Sequence, residues 1–384
     1  MRVLRPRRDE RGGVAVLVAV FISFVALVAT AWVSEFGLAY ANKRFLQNAV
    51  EASALAAASH VREFAPLGAT CSELAAAIEN GSDTSWNGGS TASTASVADR
   101  FFEDNLGNHD EVAFGGVQVT CDPSLGLLVT IDARQRSQTV IGRAAGTDEL
   151  LVQTRATAVV ATPKNVVGLR PLGMCLDRAR EAAAIPGQEY SYPIDKGDST
   201  CGLAQSTWGL INFEGSRGNG GADGTVSDLV MGYPGEVSSS TVGDEVWIDG
   251  SPGLRSNLVG YVQDLIGDEI VLPVYDVYRD KSGGEVPPLE NWPSEGDTVT
   301  PTPAESNLNA QARGGNNGGG SSGDKDNGKD FRIVGFITVE ITGADKDEIR
   351  FRHKRFSPVA KINRDCALGL AQCDLGARIV KLVG

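Results

Sequence analysis

Between Gly12 and Ser34 the chain carries no charged residue, and this uninterrupted run of 23 residues constrains everything around it. At about 1.5 Å of rise per residue it reaches roughly 34 Å as a helix, enough to cross the hydrocarbon core of a bilayer. Five arginines, Arg2, Arg5, Arg7, Arg8 and Arg11, precede it, whereas Glu35 is the first charge to follow. Cationic flanks stay on the cytoplasmic side, so the asymmetry places residues 1–11 in the cytoplasm and the rest of the chain outside, with Trp32 at the outer interface. A cleaved secretory signal is the alternative. Against it, the apolar run exceeds an ordinary signal core, and alanine-rich helical sequence continues where a cleavage site and turn would stand.

Helical character does not stop at the membrane. From Glu35 to His60 there is no proline and a single glycine, Gly37. Phe45, Ala49, Ala52 and Ala56 recur every three or four residues, which gives one narrow face of mostly small side chains along a rod. Such a face lets another backbone approach closely. It packs either on the protein's own outer part or on another subunit, and the pattern alone leaves both open.

Charge divides by region. The whole chain is −13, but the first eleven residues hold five arginines against Asp9 and Glu10, so the remainder has 30 basic and 46 acidic residues, or −16. An acidic exterior without a basic run repels phosphate backbones, which argues against nucleic acid as a partner. The six cysteines, Cys71, Cys121, Cys175, Cys201, Cys366 and Cys373, all lie beyond the apolar run, and none forms a Cys-x-x-Cys pair. With only His60, His109 and His353 besides, no metal cluster of usual spacing can be assembled from sequence neighbours. Disulfides fit an extracytoplasmic chain better. Short loops close at lower entropic cost, which favours Cys71 with Cys121, Cys175 with Cys201, and Cys366 with Cys373, with buried free thiols as the alternative.

The stretch ERGGVAVLVAVFISFVALVATAWVSEFGLAYANKRFLQNAVEASALAAA resembles the amino-terminal segment of TadE/TadG-like proteins of the bacterial tight-adherence (Tad, or Flp) pilus machinery. Arg11-Gly12, the apolar run, Gly37, Tyr40, Arg44 and Leu46-Gln47-Asn48-Ala49 before an Ala/Ser/Leu run carry the likeness. A weaker likeness continues through VTIDARQRSQTVIGRAAG and VQTRATAVV. The family usually has Asp where Glu35 and Glu51 stand, and both exchanges keep the charge. Pilin-type precursors cut by prepilin peptidase place a glutamate five residues after the cleavage-site glycine. Here Leu17 and Val18 occupy those positions, so the resemblance implies an anchored assembly component more than a subunit that leaves the membrane.

Beyond the rod the expected class is α+β. Cys71–Asn80 and Val97–Leu106 read as helices, and Gly116–Cys121, Leu127–Ala133 and Leu150–Ala161 as strands, with a mobile loop over Ser82–Ser96. A second, mostly β part contains WGLINFEG, EVWIDGSPGLRSNLVGYVQDLIGDEIVLPVYDVY and FRIVGFITVEITG, similar to the outer region behind the same anchor in many TadG-like proteins, with one helix over Gly253–Gly267. The resulting division is 1–11 cytoplasmic tail, 12–34 transmembrane helix, 35–62 helical rod, 63–162 small α+β module, 163–280 plus 331–384 outer β domain, and 281–330 flexible loop.

Chemistry is sparse. GDKDNGKD (Gly323–Asp330) lacks the Ser or Thr of a phosphate loop and the glutamate of a calcium loop, so neither nucleotide nor metal is expected, and no other cofactor. No Gly-x-Ser-x-Gly elbow occurs. Asp195, Asp249 and Asp276 are the carboxylates available for an acid–base pair, and Trp208, Trp247 and Tyr278 the aromatics available to a groove, though such residues more often cap turns or fill cores. The expectation is a non-enzymatic, membrane-anchored component of a Tad-type pilus, meeting other pilus proteins through its amino-terminal helix. A surface adhesin or receptor reusing the anchor is the second reading, and an extracellular hydrolase the third.

Overall fold

The computed structural model describes residues 10–383 apart from 67, 88–91, 107–111, 140, 145, 147, 186, 195–197, 199, 202–206, 214–227, 241–243, 253, 255–257, 281–328, 356–359, 365, 367 and 369–373. The expected flexible loop therefore falls outside the described residues over 281–328. Architecture is α+β: one long helix, then strand-rich structure with a few helices.

Helix α1 runs unbroken from Glu10 to Phe64. Pro66 disfavours helical geometry in the residue before it, so the helix cannot continue. From Ala15 to Thr30 every side chain is exposed. Two hydroxyls of this apolar stretch are satisfied internally, Thr30 Oγ1 donating to Ala26 O at 2.8 Å and Ser34 Oγ to Thr30 O at 2.9 Å, as a group in lipid would need to be. From Leu46 onward α1 changes role. Leu46, Ala49, Val50, Ala54, Ala57, Ala58, Val61 and Ala65 are buried in one hydrophobic core. Over this half the expected rod is the central helix of a folded module, and so packs on the protein's own outer part, one of the two arrangements left open by its sequence.

That module is a four-stranded antiparallel sheet in the order β1-β2-β3-β14, formed by β1 (Val112–Asp122), β2 (Gly126–Gln138), β3 (Glu149–Ala161) and β14 (Ile379–Val383). Alternation puts Leu127, Val129, Ile131 and Ala133 of β2, with Val152, Ala156, Ala158 and Val160 of β3, against α1. Alanines facing alanines bring helix and sheet close together. Helices α2 (Cys71–Glu79) and α3 (Thr94–Leu106) complete the cover. Thr70 and Glu73 form a reciprocal capping box that starts α2, and Ser53 Oγ of α1 donates to Ala98 O of α3 at 2.6 Å. The segment expected to be a mobile loop is partly structured: Ser82–Asn87 is a 3₁₀ helix, and buried Asp83 accepts from the Thr94 backbone N–H at 2.6 Å. The four-residue helix α4 (Ile141–Ala144) lies between β2 and β3.

The outer part is built on β4 (Pro163–Val167), β5 (Leu172–Cys175), β6 (Glu189–Pro193), β7 (Trp208–Ile211), β8 (Glu236–Ser238), β9 (Trp247–Pro252), β10 (Glu269–Asp280), β11 (Lys329–Ala344), β12 (Glu348–Lys354) and β13 (Ala360–Ile362). Its main sheet has the order β10-β5-β7-β9-β11-β12-β6, and β10 also pairs with β11. That extra pairing closes β10, β5, β7, β9 and β11 into a ring. Tyr275 and Phe331 meet edge-on inside, with centroids 4.8 Å apart. Gly209 sits beside them because a Cβ there would come within 2.8 Å of the Phe331 ring. Strands β13, β4 and β8 form a small separate sheet.

Two features differ from the sequence reading. The outer part holds helix α5 (Leu176–Ala184) in addition to α6, which is only Val259–Gln263. Strand β14 does not stay with the outer sheet: it pairs with β3, Ile379 opposite Ala161.

Candidate anchor and docking site

Above the apolar span, α1 keeps an open side. Leu38, 65% exposed, and Phe45, 53% exposed, stand two turns apart on that side, whereas Phe36 and Tyr40 are exposed on the opposite one. Of the four residues expected to form a packing face, Ala49 is buried, Ala52 and Ala56 are half-buried, and Phe45 is exposed. The stripe therefore straddles the edge of the protein's own core instead of lying wholly inside or outside it. The core face is rotated from it and includes Ala54, Ala57, Ala58 and Val61.

At the other end, α1 is locked to the outer part by two arginines. The last carbonyls of a helix lack partners within it and carry partial negative charge. Arg355 Nη1 donates to Glu63 O at 2.9 Å and also to Ala65 O, while Arg378 Nη2 donates to Pro66 O at 3.4 Å. Arg378 is fully buried and pairs with equally buried Asp374 through contacts of 2.8 and 3.2 Å. Burial, with the charge of Arg378 second, pulls Arg355 down to about 10. His353 lies in the same joint, its Nε2 3.0 Å from Leu375 O. Burial, aided by Arg355 and Arg378 and opposed by the Leu375 contact and Asp374, lowers its pKa to about 4.

The cysteines tie the same scaffold. Cys71–Cys121 staples the start of α2 to the end of β1, and Cys175–Cys201 holds the base of α5. Cys366 is also disulfide-bonded, whereas its expected partner Cys373 falls outside the described residues. Beside the second bridge Asp198 accepts from Arg178 Nε at 2.8 Å and from Thr207 Oγ1 at 2.5 Å. These bonds hold its carboxyl below the usual range although burial alone raises it.

Among the described residues considered for chemistry, Asp276 and Trp247 come together around Arg332, whose guanidinium is 5.6 Å from the Trp247 centroid. Asp276 is engaged by Arg332, which donates to it at 3.0 and 2.5 Å and to Glu245 at 2.9 Å. Burial disfavours the Arg332 charge, and these carboxylates more than offset it, so its pKa is raised. Asp249 stands on β9 and Asp195 lies outside the described residues. Trp208 is fully buried in the outer core. Trp247 and Tyr278 are half-buried under cations, with Arg279 4.0 Å from the Trp247 centroid and Lys329 5.5 Å from that of Tyr278. Among the described residues no three His, Cys, Asp or Glu side chains gather as metal ligands. Sequence reading missed the Arg355/Arg378 joint, for which an isolated arginine in a β segment is no signal.

Residues 12–60 match the family model described as putative Flp pilus-assembly TadE/G-like. The amino-terminal segment is TadE/G-like. The match covers the span, the open stretch of α1 and most of its buried half, so it follows the helix through both of its roles. Together with an apolar helix long enough to cross a membrane, the TadE/G-like segment fits a membrane-anchored Tad pilus component. The family is one of pilus assembly, structural and not catalytic. Comparison with curated proteins and with solved structures returned no match.

Proposed function

We propose that this protein is a non-enzymatic assembly component of a Tad-type pilus, anchored by α1 with residues 1–11 in the cytoplasm and the folded part outside, where it meets other pilus or envelope proteins. The observation that carries the reading is the division of labour within the TadE/G-like helix. Its second half is the core of the head, so the head cannot swivel on its anchor, while Leu38 and Phe45, on one side just above the span, keep more than half of their surface exposed. Large apolar side chains exposed two turns apart on one side of a membrane-proximal helix support docking of another helix. A rigid joint at Arg355 and Arg378 then transmits that docking to the outer β part.

Leu38→Asn together with Phe45→Asn tests this. Both positions are exposed, so the head keeps its core. The double variant is expected to reach the membrane at normal level, keep its disulfides, and fail to co-purify with Tad components and to support piliation. Normal piliation at normal protein level refutes the docking role. An adhesin that uses α1 only as a tether is indifferent to the change.

A further inference from the structure

Strands β2 and β3 are 13 residues each, and they run down α1 toward the membrane. Two contacts fix how far. Gln47 Nε2 reaches Arg155 O, opposite Asp132 in the ladder, at 3.4 Å. The Gly142 backbone N–H, at the hairpin tip, donates to Glu35 Oε2 at 3.3 Å. Descending from Asp132 to Gln138 covers about 20 Å of strand, and from Gln47 to Glu35 about 18 Å of helix. The two agree, so the tip stands level with Glu35, where the uncharged run ends.

We propose that this hairpin tip rests on the outer leaflet and binds the phosphates of anionic phospholipid headgroups. The inference depends on the membrane-anchor reading of α1. Among the described residues the tip carries Arg136 and Arg143, with Arg134 two residues up the strand, beside the carboxylates Glu35, Asp148 and Glu149. The tip arginines are only loosely held, Arg136 3.8 Å from Glu149 and Arg143 3.5 Å from Asp148, all four side chains being exposed. Such pairs are weak in water, and a guanidinium exchanges a carboxylate for a phosphate with the same forked geometry. Leu151, opposite Arg136 in the ladder and 62% exposed, offers an apolar side chain beside the cation. Trp32 and Tyr40 of α1 flank the same level, as aromatic residues do at an interface.

The test uses the full-length protein reconstituted in vesicles of phosphatidylcholine alone or mixed equally with phosphatidylglycerol. A fluorophore is placed at Gln138→Cys near the tip, at Thr120→Cys at the far end of the sheet, or at Val25→Cys in the span. In the mixed vesicles, nitroxide on lipid headgroups is expected to quench the Gln138 label and spare the Thr120 label. Arg136→Gln and Arg143→Gln should each weaken that contact about five-fold, with little effect in phosphatidylcholine. An unquenched Gln138 label with a Val25 label quenched by acyl-chain nitroxide overturns the tip contact and leaves the anchor standing. An unquenched Val25 label overturns the anchor reading, and the tip contact with it. Equal Gln138 quenching in both vesicles, insensitive to the arginines, overturns headgroup recognition.

Discussion

Acid should loosen the joint beneath the head, and His353→Gln should remove most of that sensitivity. His353 is buried on β12 against Leu375 O, with Arg355 and Arg378 as charged neighbours and Asp374 as the opposing one. Its pKa falls from the ordinary 6.5 to about 4. A depressed folded-state pKa contributes stability that is fully present above about 6.5 and is lost as pH falls through about 4. At about 1.4 kcal/mol per tenfold change in proton affinity, the loss between pH 7 and pH 4 is about 3 kcal/mol. Glutamine keeps a donor for Leu375 O and cannot be protonated. Denaturant unfolding of the full-length protein in detergent, at both pH values, gives the comparison. Wild type should lose about 3 kcal/mol more than His353→Gln, while carboxylates such as Asp198 contribute equally to both proteins and cancel. Parallel pH curves would show that His353 is open to water, and would refute a sealed joint.

Two further outcomes test the packing. Ala57→Leu, which overfills the gap between α1 and the sheet, should cost about 1–3 kcal/mol, whereas Ala52→Leu at the half-buried edge should cost under about 1 kcal/mol; equal costs in thermal unfolding would mean the core face is placed wrongly. Cys71→Ala with Cys121→Ala opens a separation of 50 residues and Cys175→Ala with Cys201→Ala one of 26. Chain entropy puts these at about 4 and about 3.5 kcal/mol, and losses below about 1 kcal/mol would contradict a framework role.

The long apolar helix was legible because 23 uncharged residues between arginines and Glu35 admit few other arrangements. Strands β1, β2 and β3 were legible from alternation, and proximity identified both described disulfides. The face of α1 was not. From Ala49 to Ala58 small residues occupy several adjacent stripes, so periodicity alone cannot choose among them; the facing alanines of β2 and β3, distant in sequence, decide. Helix α5 left a local trace in LDRAREAAA, good helix formers ending before Pro186, which a β-rich surrounding obscured. Ring closure by β10 and β11 across residues 281–328, and the return of β14 to β3, are long-range pairings with no local signature. The same holds for the Arg355/Arg378 joint, whose acceptors lie about 300 residues upstream.

If the open side of α1 above the span meets another pilus component, a photo-crosslinking residue at Leu38 or Phe45 captures that contact in living cells. Irradiation is expected to give a covalent adduct with a second Tad protein, identified by mass spectrometry, from both positions. The same residue at Gln153, exposed on the outward side of the sheet, should give none. Piliated cells with normal protein level and no protein adduct at either Leu38 or Phe45 would contradict the account.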